Sequence, residues 1–199
     1  NALMELPEVG MLVVDDNSPD GTGALADELA RSYPGRIEVM HRTERPGLGR
    51  SYVDGIRSVL HRPVDVICQM DSDLSHDPRH LRDLIAASRH ADVVIGSRYI
   101  PGGAIVNWPL RRKLLSRFAN NYIRLVTRLT PHDCTTVHRC WRREALAARS
   151  MGQIAAHRSS SLVEMLFAAQ YVGLTFAGRP RTFVGRPPGE ASRADAVHV

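Results

Sequence analysis

Two aspartates, Asp71 and Asp73, follow an apolar run at residues 64–70 (VDVICQM) and stand two positions apart. Two carboxylates with this spacing, at the end of a buried strand, suit a hard divalent cation. Mg²⁺ or Mn²⁺ held there would bridge to substrate phosphates. Asp-x-Asp is also common in surface turns and helix caps. Its position between a predicted strand and a predicted helix favours the metal site.

Asp15 and Asp16 follow another short apolar run, residues 9–14 (VGMLVV). A carboxylate at this position binds ribose hydroxyls or a base edge. The same residues also suit an Asx-type turn with Ser18 or Asp20 capping the next helix. The sequence leaves both interpretations open.

Three further residues are candidates for binding an anion. Arg98 comes after another apolar run, residues 91–96 (ADVVIG), with one serine between them. Arg112 and Ser116 are one helical turn apart and could share one phosphate. Each arginine taken alone is more often a solvated surface residue. Their interpretation therefore depends on the elements that position them.

The first half of the chain alternates strand and helix patterns, which predicts an α/β sheet with right-handed crossovers. Ligands bind at the carboxyl ends of the strands in such sheets, and the polar clusters fall there. The predicted strands are residues 9–14, 36–41, 64–70 and 91–96; the predicted helices include residues 22–33 and 51–61.

The second half predicts a long amphipathic helix at residues 109–129, with Arg117, Arg124 and Arg128 on a separate cationic face. Its apolar stripe consists of Leu114, Leu115, Phe118, Tyr122, Leu125, Val126 and Leu129. The stripe could lie on a bilayer or could pack on the sheet. Short helices are expected at residues 139–149 and 161–171, with no periodic pattern after residue 178.

Composition excludes several classes of protein. The 199 residues are 43% hydrophobic, which excludes a disordered chain. The net charge of +5 is too small to indicate a nucleic-acid partner. No apolar run approaches the roughly 18–20 residues of a membrane span. Three cysteines without a CxxC pair predict neither a disulfide scaffold nor a zinc site.

A series of motifs occurs in a fixed order: VVDDNSPDGTG, RPGLGRSYVDGI, QMDSDLSHDP, ADVVIGSRYIPGG, NWPLRRKLLSRFAN and DCTTVHRCWRREAL. This series resembles the dolichol-phosphate mannosyltransferases, whose bacterial version is polyprenol monophosphomannose synthase. The resemblance is dense over residues 3–146 and thin over residues 160–190. The ordered series is far more specific than any one motif.

The resemblance implies a GT-A fold: a Rossmann-like, mostly parallel sheet flanked by helices. It implies mannose transfer from GDP-mannose to a polyprenyl phosphate. Asp71 and Asp73 would bind Mg²⁺ or Mn²⁺ and the diphosphate, and Asp15 and Asp16 would lie at the nucleoside. Arg98, Arg112 and Ser116 would hold the acceptor phosphate. Arg186 resembles an arginine in the family's phosphate-closing loop.

This chemistry needs no general base, because a polyprenyl phosphate is already mostly anionic near neutral pH. It can attack the anomeric carbon in line and invert it, so the site must chiefly supply positive charge. Helix 109–129 would then lie on the bilayer. The expected location is the cytoplasm, peripheral on the inner face of the cell membrane.

The sequence also departs from the family. Residues 1–178 are expected to form one domain that lacks the family's first strand, and residues 179–199 a loose tail. That strand lies inside the sheet, so its neighbours would lose their partner unless the sheet is completed in another way. Two alternatives follow: a donor such as UDP-glucose, or an inactive remnant that binds only lipid phosphate or a partner.

Overall fold

The computed structural model describes residues 2–43, 48–72, 75–147, 162–185 and 197–198. After a short 3-10 helix, Ala2–Glu5, strands and helices alternate as far as residue 97, as the sequence predicts for the first half of the chain. The helices are α1 Thr22–Ser32, α2 Leu48–Val59, α3 His80–Ala87, α4 Leu110–Thr127, α5 Arg143–Ala147 and α6 Leu162–Tyr171. The strands are β1 Met11–Asp15, β2 Ile37–His41, β3 Val66–Asp71, β4 Val93–Ser97, β5 Ala104–Val106, β6 Arg139–Arg142, β7 Phe176–Pro180, β8 Thr182–Val184 and β9 Val197–His198.

Seven strands form one sheet in the order β2-β1-β9-β3-β6-β4-β7. The β1–β2 and β4–β7 pairs are parallel, whereas β9 and β6 run antiparallel to both of their neighbours. The other five strands therefore all point in one direction. The predicted mostly parallel α/β sheet with flanking helices is confirmed, and the carboxyl ends of β1, β3 and β4 lie at one edge.

Strand β6 corrects the predicted helix at residues 139–149. Residues 139–142 form a strand between β3 and β4, and the helix begins after them, at residue 143. Trp141 belongs to the main core, while Cys140 belongs to a second core beside α3. A strand buried on both faces has no alternation of apolar and polar residues, so its pattern resembles that of a buried helix.

The two strands expected to lose a partner are joined through β9. Val13 and Val14 of β1 pair with β9 on one side, and Met70 and Asp71 of β3 pair with it on the other. A second correction concerns the tail expected from residue 179. Strand β7 crosses that boundary and β8 follows it, so residues 179–185 are part of the fold.

Helix α4 exposes its apolar stripe. Leu115 is 67% exposed, Phe118 66% and Leu125 79%. Asn120 is instead buried, and Ile123 packs against the main core. The sequence left two interpretations open, in which the stripe lies on a bilayer or packs on the sheet. Packing of the stripe on the sheet is wrong, apart from Leu129, which is buried. No helix in the described part of the chain is long and apolar enough to cross a membrane.

Candidate active site

Two residues make three contacts with Asp71, the last residue of β3. The Tyr52 hydroxyl donates a 2.6 Å hydrogen bond to Asp71 Oδ1. The Asp71 backbone N–H donates to His76 Nδ1 at 3.0 Å, which places the proton of a neutral His76 ring on Nε2. His76 Nε2 lies 3.7 Å from Asp71 Oδ2. The carboxylate is thus oriented by a buried tyrosine and a buried histidine.

Asp71 fits the role of a ligand to a hard cation. The Asp71 side chain is 27% exposed, so part of it reaches the surface at this edge of the sheet. Mg²⁺ is commonly held by only one or two carboxylates, with substrate phosphates and water completing the shell. The described residues contain no group of three acidic, histidine or cysteine side chains around a metal position. Asp73, the second predicted ligand, lies outside them.

His76, which contacts Asp71, belongs to a buried group that also contains His138 and Arg181. The rings of His76 and His138 stack with centroids 4.9 Å apart and an interplanar angle of 14°. Burial, followed by the charge of Arg181, lowers the pKa of both imidazoles, that of His138 to about 3. Both rings are therefore neutral near pH 7. Gly96 permits this packing, because a Cβ there would meet His138 Nδ1 at 2.9 Å.

Asp15 and Asp16, the predicted nucleoside ligands, lie at the end of β1. Asp15 is 4% exposed, and its Oδ1 accepts from the N–H of Ser18, three residues on, at 3.3 Å. The two-residue contact of an Asx-type turn is made by Asp20, whose Oδ1 accepts from the backbone N–H two residues on at 3.1 Å, at the start of α1. A Cβ on Gly23 would meet Asp15 Oδ2 at 2.7 Å, so this carboxylate packs directly on α1. The structural role left open by the sequence is present, and the nucleoside role stays a prediction.

Asp16 belongs to a polar cluster that the sequence did not indicate. Arg42 Nη1 donates to Asp16 Oδ1 and to Ser51 Oγ, and the Ser51 hydroxyl donates to Asp16 Oδ2, each at 2.6 Å. Arg42 Nη2 also lies 3.0 Å from Asp54 Oδ2. The cluster joins the end of β1 to α2. Its partners are remote in sequence, which is why periodicity did not reveal it.

Arg98, at the end of β4, forms the most buried ion pair of the described site. Its Nε and Nη2 each donate to a different oxygen of Asp133 at 2.7 Å, and Nη2 also donates to Thr135 Oγ1 at 2.9 Å. The Asp133 side chain is fully buried and that of Arg98 is 6% exposed. Nη1 makes no hydrogen bond to a described residue, which leaves its two donors for an anion.

The segment that contains Asp133 also positions α4. Asn120, the buried residue of this helix, donates through Nδ2 to Thr135 Oγ1 at 3.1 Å. Its Oδ1 accepts from the backbone N–H of Cys134 at 2.7 Å. Asn120 therefore fixes α4 to the residues that orient Arg98. Neither Asp133 nor Asn120 was identified from the sequence, because polar contacts between distant segments carry no periodic signal.

The structure brings Arg98, Arg112 and Ser116 to one place. The guanidinium carbon of Arg112 lies 3.9 Å from the centroid of the Trp108 ring, and that of Arg98 lies 5.9 Å from the same ring. The Tyr99 hydroxyl donates to Ser116 Oγ at 2.6 Å, and the Arg98 guanidinium carbon lies 5.1 Å from the Tyr99 ring. Two guanidinium groups and one hydroxyl thus lie next to two neighbouring aromatic side chains. Arg186 lies outside the described residues.

We expect the Asp133→Asn variant to lose about 3–5 kcal/mol of unfolding free energy, because it leaves the buried Arg98 charge without its counter-ion. Urea denaturation followed by circular dichroism measures this loss. Glu38→Gln is the matched control. Glu38 also holds an arginine, Arg62, through two hydrogen bonds, but its side chain is 50% exposed. The control should lose less than about 1 kcal/mol. Equal losses of unfolding free energy in the two variants would contradict the assignment of a buried, stabilising ion pair to Asp133.

Comparison with known proteins identifies a family and several relatives of the chain. The sequence profile of glycosyl transferase family 2 matches residues 2–149. The chain is 44% identical over 184 residues to polyprenol monophosphomannose synthase of Mycolicibacterium smegmatis, covering 92% of this chain and 69% of that protein. It is 41% identical over 192 residues to undecaprenyl-phosphate mannosyltransferase of Micrococcus luteus, covering 96% and 79%.

A third relative is dolichol-phosphate mannosyltransferase of Pyrococcus furiosus, which is 42% identical over 120 residues, 60% of this chain and 32% of that protein. The three relatives come from different organisms, and each is named for the class of transferase that the ordered motifs resemble. The chain therefore belongs to glycosyl transferase family 2, within the hexosyltransferase group that includes these polyprenyl-phosphate mannosyltransferases.

Proposed function

We propose that this glycosyltransferase moves mannose from GDP-mannose to a polyprenyl phosphate at the cytoplasmic surface of the cell membrane, with Mg²⁺ or Mn²⁺. The observation that carries the proposal is the adjacency of a cationic cluster and an exposed apolar helix. Arg98 and Arg112 flank Trp108, and Arg112 belongs to α4, whose apolar stripe faces outward. A ligand with an anionic head and a hydrocarbon tail matches both surfaces.

The cationic cluster is suited to a phosphate nucleophile. A phosphate oxygen is already negative, so it attacks the anomeric carbon without a general base, and the in-line path inverts that centre. Arg98 offers Nη1, while Asp133 and Thr135 fix the rest of its guanidinium. Such a preoriented cation stabilises and positions the incoming phosphate at little entropic cost.

The donor side of the site would centre on Asp71. With Asp73 it would hold the divalent cation, which when bound neutralises the charge that develops on the leaving diphosphate. Tyr52 and His76 contribute by fixing the orientation of the Asp71 carboxylate and backbone. Asp15 and Asp16 would contact the nucleoside from the end of β1, and Arg186 would contact the phosphates. The names of the relatives support mannose as the sugar that is transferred.

The membrane part of the proposal rests on the inverted pattern of α4. The side of the helix that faces the protein carries Ser116, Asn120 and Ile123, whereas the large apolar residues face solvent. Phe118 and Tyr122 stack on each other at 6.2 Å on that outer face. Burying such a face in the headgroup region, with arginines toward anionic lipids, would remove it from water.

The transfer reaction is tested with radiolabelled GDP-mannose, Mn²⁺ and a short polyprenyl phosphate. We expect lipid-extractable label with the wild type and a loss of about 100-fold or more with Asp71→Asn, because a metal ligand is removed. UDP-glucose in place of GDP-mannose tests the alternative donor. No label together with no Mn²⁺-dependent GDP binding by calorimetry would refute the proposal.

The acceptor site is tested with Arg112→Ala. Loss of one charge-assisted contact should raise KM for the polyprenyl phosphate about 10-fold or more while leaving KM for the donor within a factor of two. Arg111→Ala is the matched control, since it removes an exposed arginine one position away on the same helix. An equal rise in KM for donor and acceptor would argue against an acceptor role.

Membrane contact through α4 is tested by sedimentation with vesicles that contain anionic lipid. Leu115→Glu and Phe118→Glu should each weaken binding several-fold, because each places a charge in the apolar face. Leu25→Glu is the control; Leu25 is 59% exposed but lies on α1. If all three variants bind as the wild type does, α4 is not the contact surface.

A further inference from the structure

Two of the three cysteines, remote in sequence, are direct neighbours in the sheet. Cys68 of β3 and Cys140 of β6 are opposite each other in the antiparallel register. Directly opposed residues point their side chains to the same face, with Cα atoms about 4.5–5.5 Å apart. A disulfide requires Cα atoms about 4.4–6.8 Å apart, so the backbone already meets this condition.

The two thiols also share surroundings. Both belong to the core between the sheet and α3. The neighbouring Cys140 thiol, together with burial, raises the pKa of Cys68 above its ordinary value. Both cysteines are free in the structure. They are therefore a contacting pair of reduced thiols rather than a disulfide.

Access to this pair is through one of its members. A groove of about 1000 Å³ lies between β1 and β3, and Cys68 lines it together with Val66, Met70 and Ile85. Cys68 is partly exposed, whereas Cys140 is fully buried. The groove contains none of the described candidate active-site residues. A small oxidant could thus reach Cys68 without entering the active site.

We propose that Cys68 and Cys140 form a redox-modification site, in which a small peroxide converts the contacting thiols to a disulfide across β3 and β6. The Cys68 thiolate attacks one peroxide oxygen, giving a sulfenic acid and releasing hydroxide. The Cys140 sulfur then attacks the Cys68 sulfur and displaces its hydroxyl, which leaves as water. In total, two thiols and one hydrogen peroxide give one disulfide and two waters.

The bond would connect two parts of the proposed catalytic edge. Strand β3 ends at Asp71, and β6 follows directly after the segment that contains Asp133, Thr135 and His138. The third cysteine cannot take part in the same way. Cys134 is buried in the main core, and its thiol donates to the Pro131 carbonyl at 3.3 Å. This residue supplies the matched control.

In the test, the whole folded chain is treated with hydrogen peroxide and then denatured, and its alkylatable thiols are counted. We expect the count to fall from three to one, with a Cys68–Cys140 linkage in non-reducing peptide mass spectra and full reversal by dithiothreitol. The reaction should accelerate with rising pH, because the raised pKa of Cys68 limits its thiolate fraction near neutrality.

Two variants separate this site from general oxidation. Cys134→Ser should form the same linkage, and Cys140→Ser should form no intramolecular disulfide and should retain a dimedone-reactive sulfenic acid at Cys68. A linkage that includes Cys134, a linkage between two chains, or three free thiols at all peroxide concentrations would overturn the proposal. None of these readouts requires glycosyl transfer, so failure here and failure of the proposed function are distinguishable.

Discussion

The buried ion pair between Arg98 and Asp133 is the constraint on which the described site depends. Removing two charges from water is costly, and the cost is offset only when geometry is good and further hydrogen bonds satisfy both groups. Here the pair is bidentate, and Asp133 Oδ2 also accepts from the Arg98 backbone N–H at 3.0 Å. The carboxylate therefore fixes both the side chain and the backbone at the end of β4.

The segment that contains Asp133 also contacts α4 and leads into the middle of the sheet. Thr135 accepts hydrogen bonds from both Arg98 and Asn120, so one hydroxyl links the cationic cluster to α4. Farther along the segment, the buried Arg139 donates to the Cys134 carbonyl at 2.9 Å, and burial lowers its pKa to about 10. The segment is thus held at both ends before it continues into β6.

Helix α4 reverses the usual arrangement of an amphipathic helix. Its polar residue Asn120 is buried because it satisfies backbone and side-chain groups of the 133–135 segment, and its apolar residues consequently face outward. Exposed Phe167 and Tyr171 on α6 add to the apolar surface, and Gln170 hydrogen-bonds the backbone at Arg128 and Thr130 beyond the end of α4. Exposed apolar residues clustered on a helix face, as on α4, are typical of an interaction surface rather than a core.

The sequence by itself determined the α/β class, strands β1–β4, helices α1, α2 and α4, and the positions of Asp71 and Arg98 at strand ends. These features depend on local periodicity and on turn residues, which a single chain displays directly. Tertiary structure alone decided that residues 139–142 form a strand, that Asp133 pairs with Arg98, that Tyr52 orients Asp71 and that Cys68 faces Cys140. Each of these contacts joins segments far apart in the chain, and burial on two faces or a single polar pairing leaves no periodic trace in the sequence.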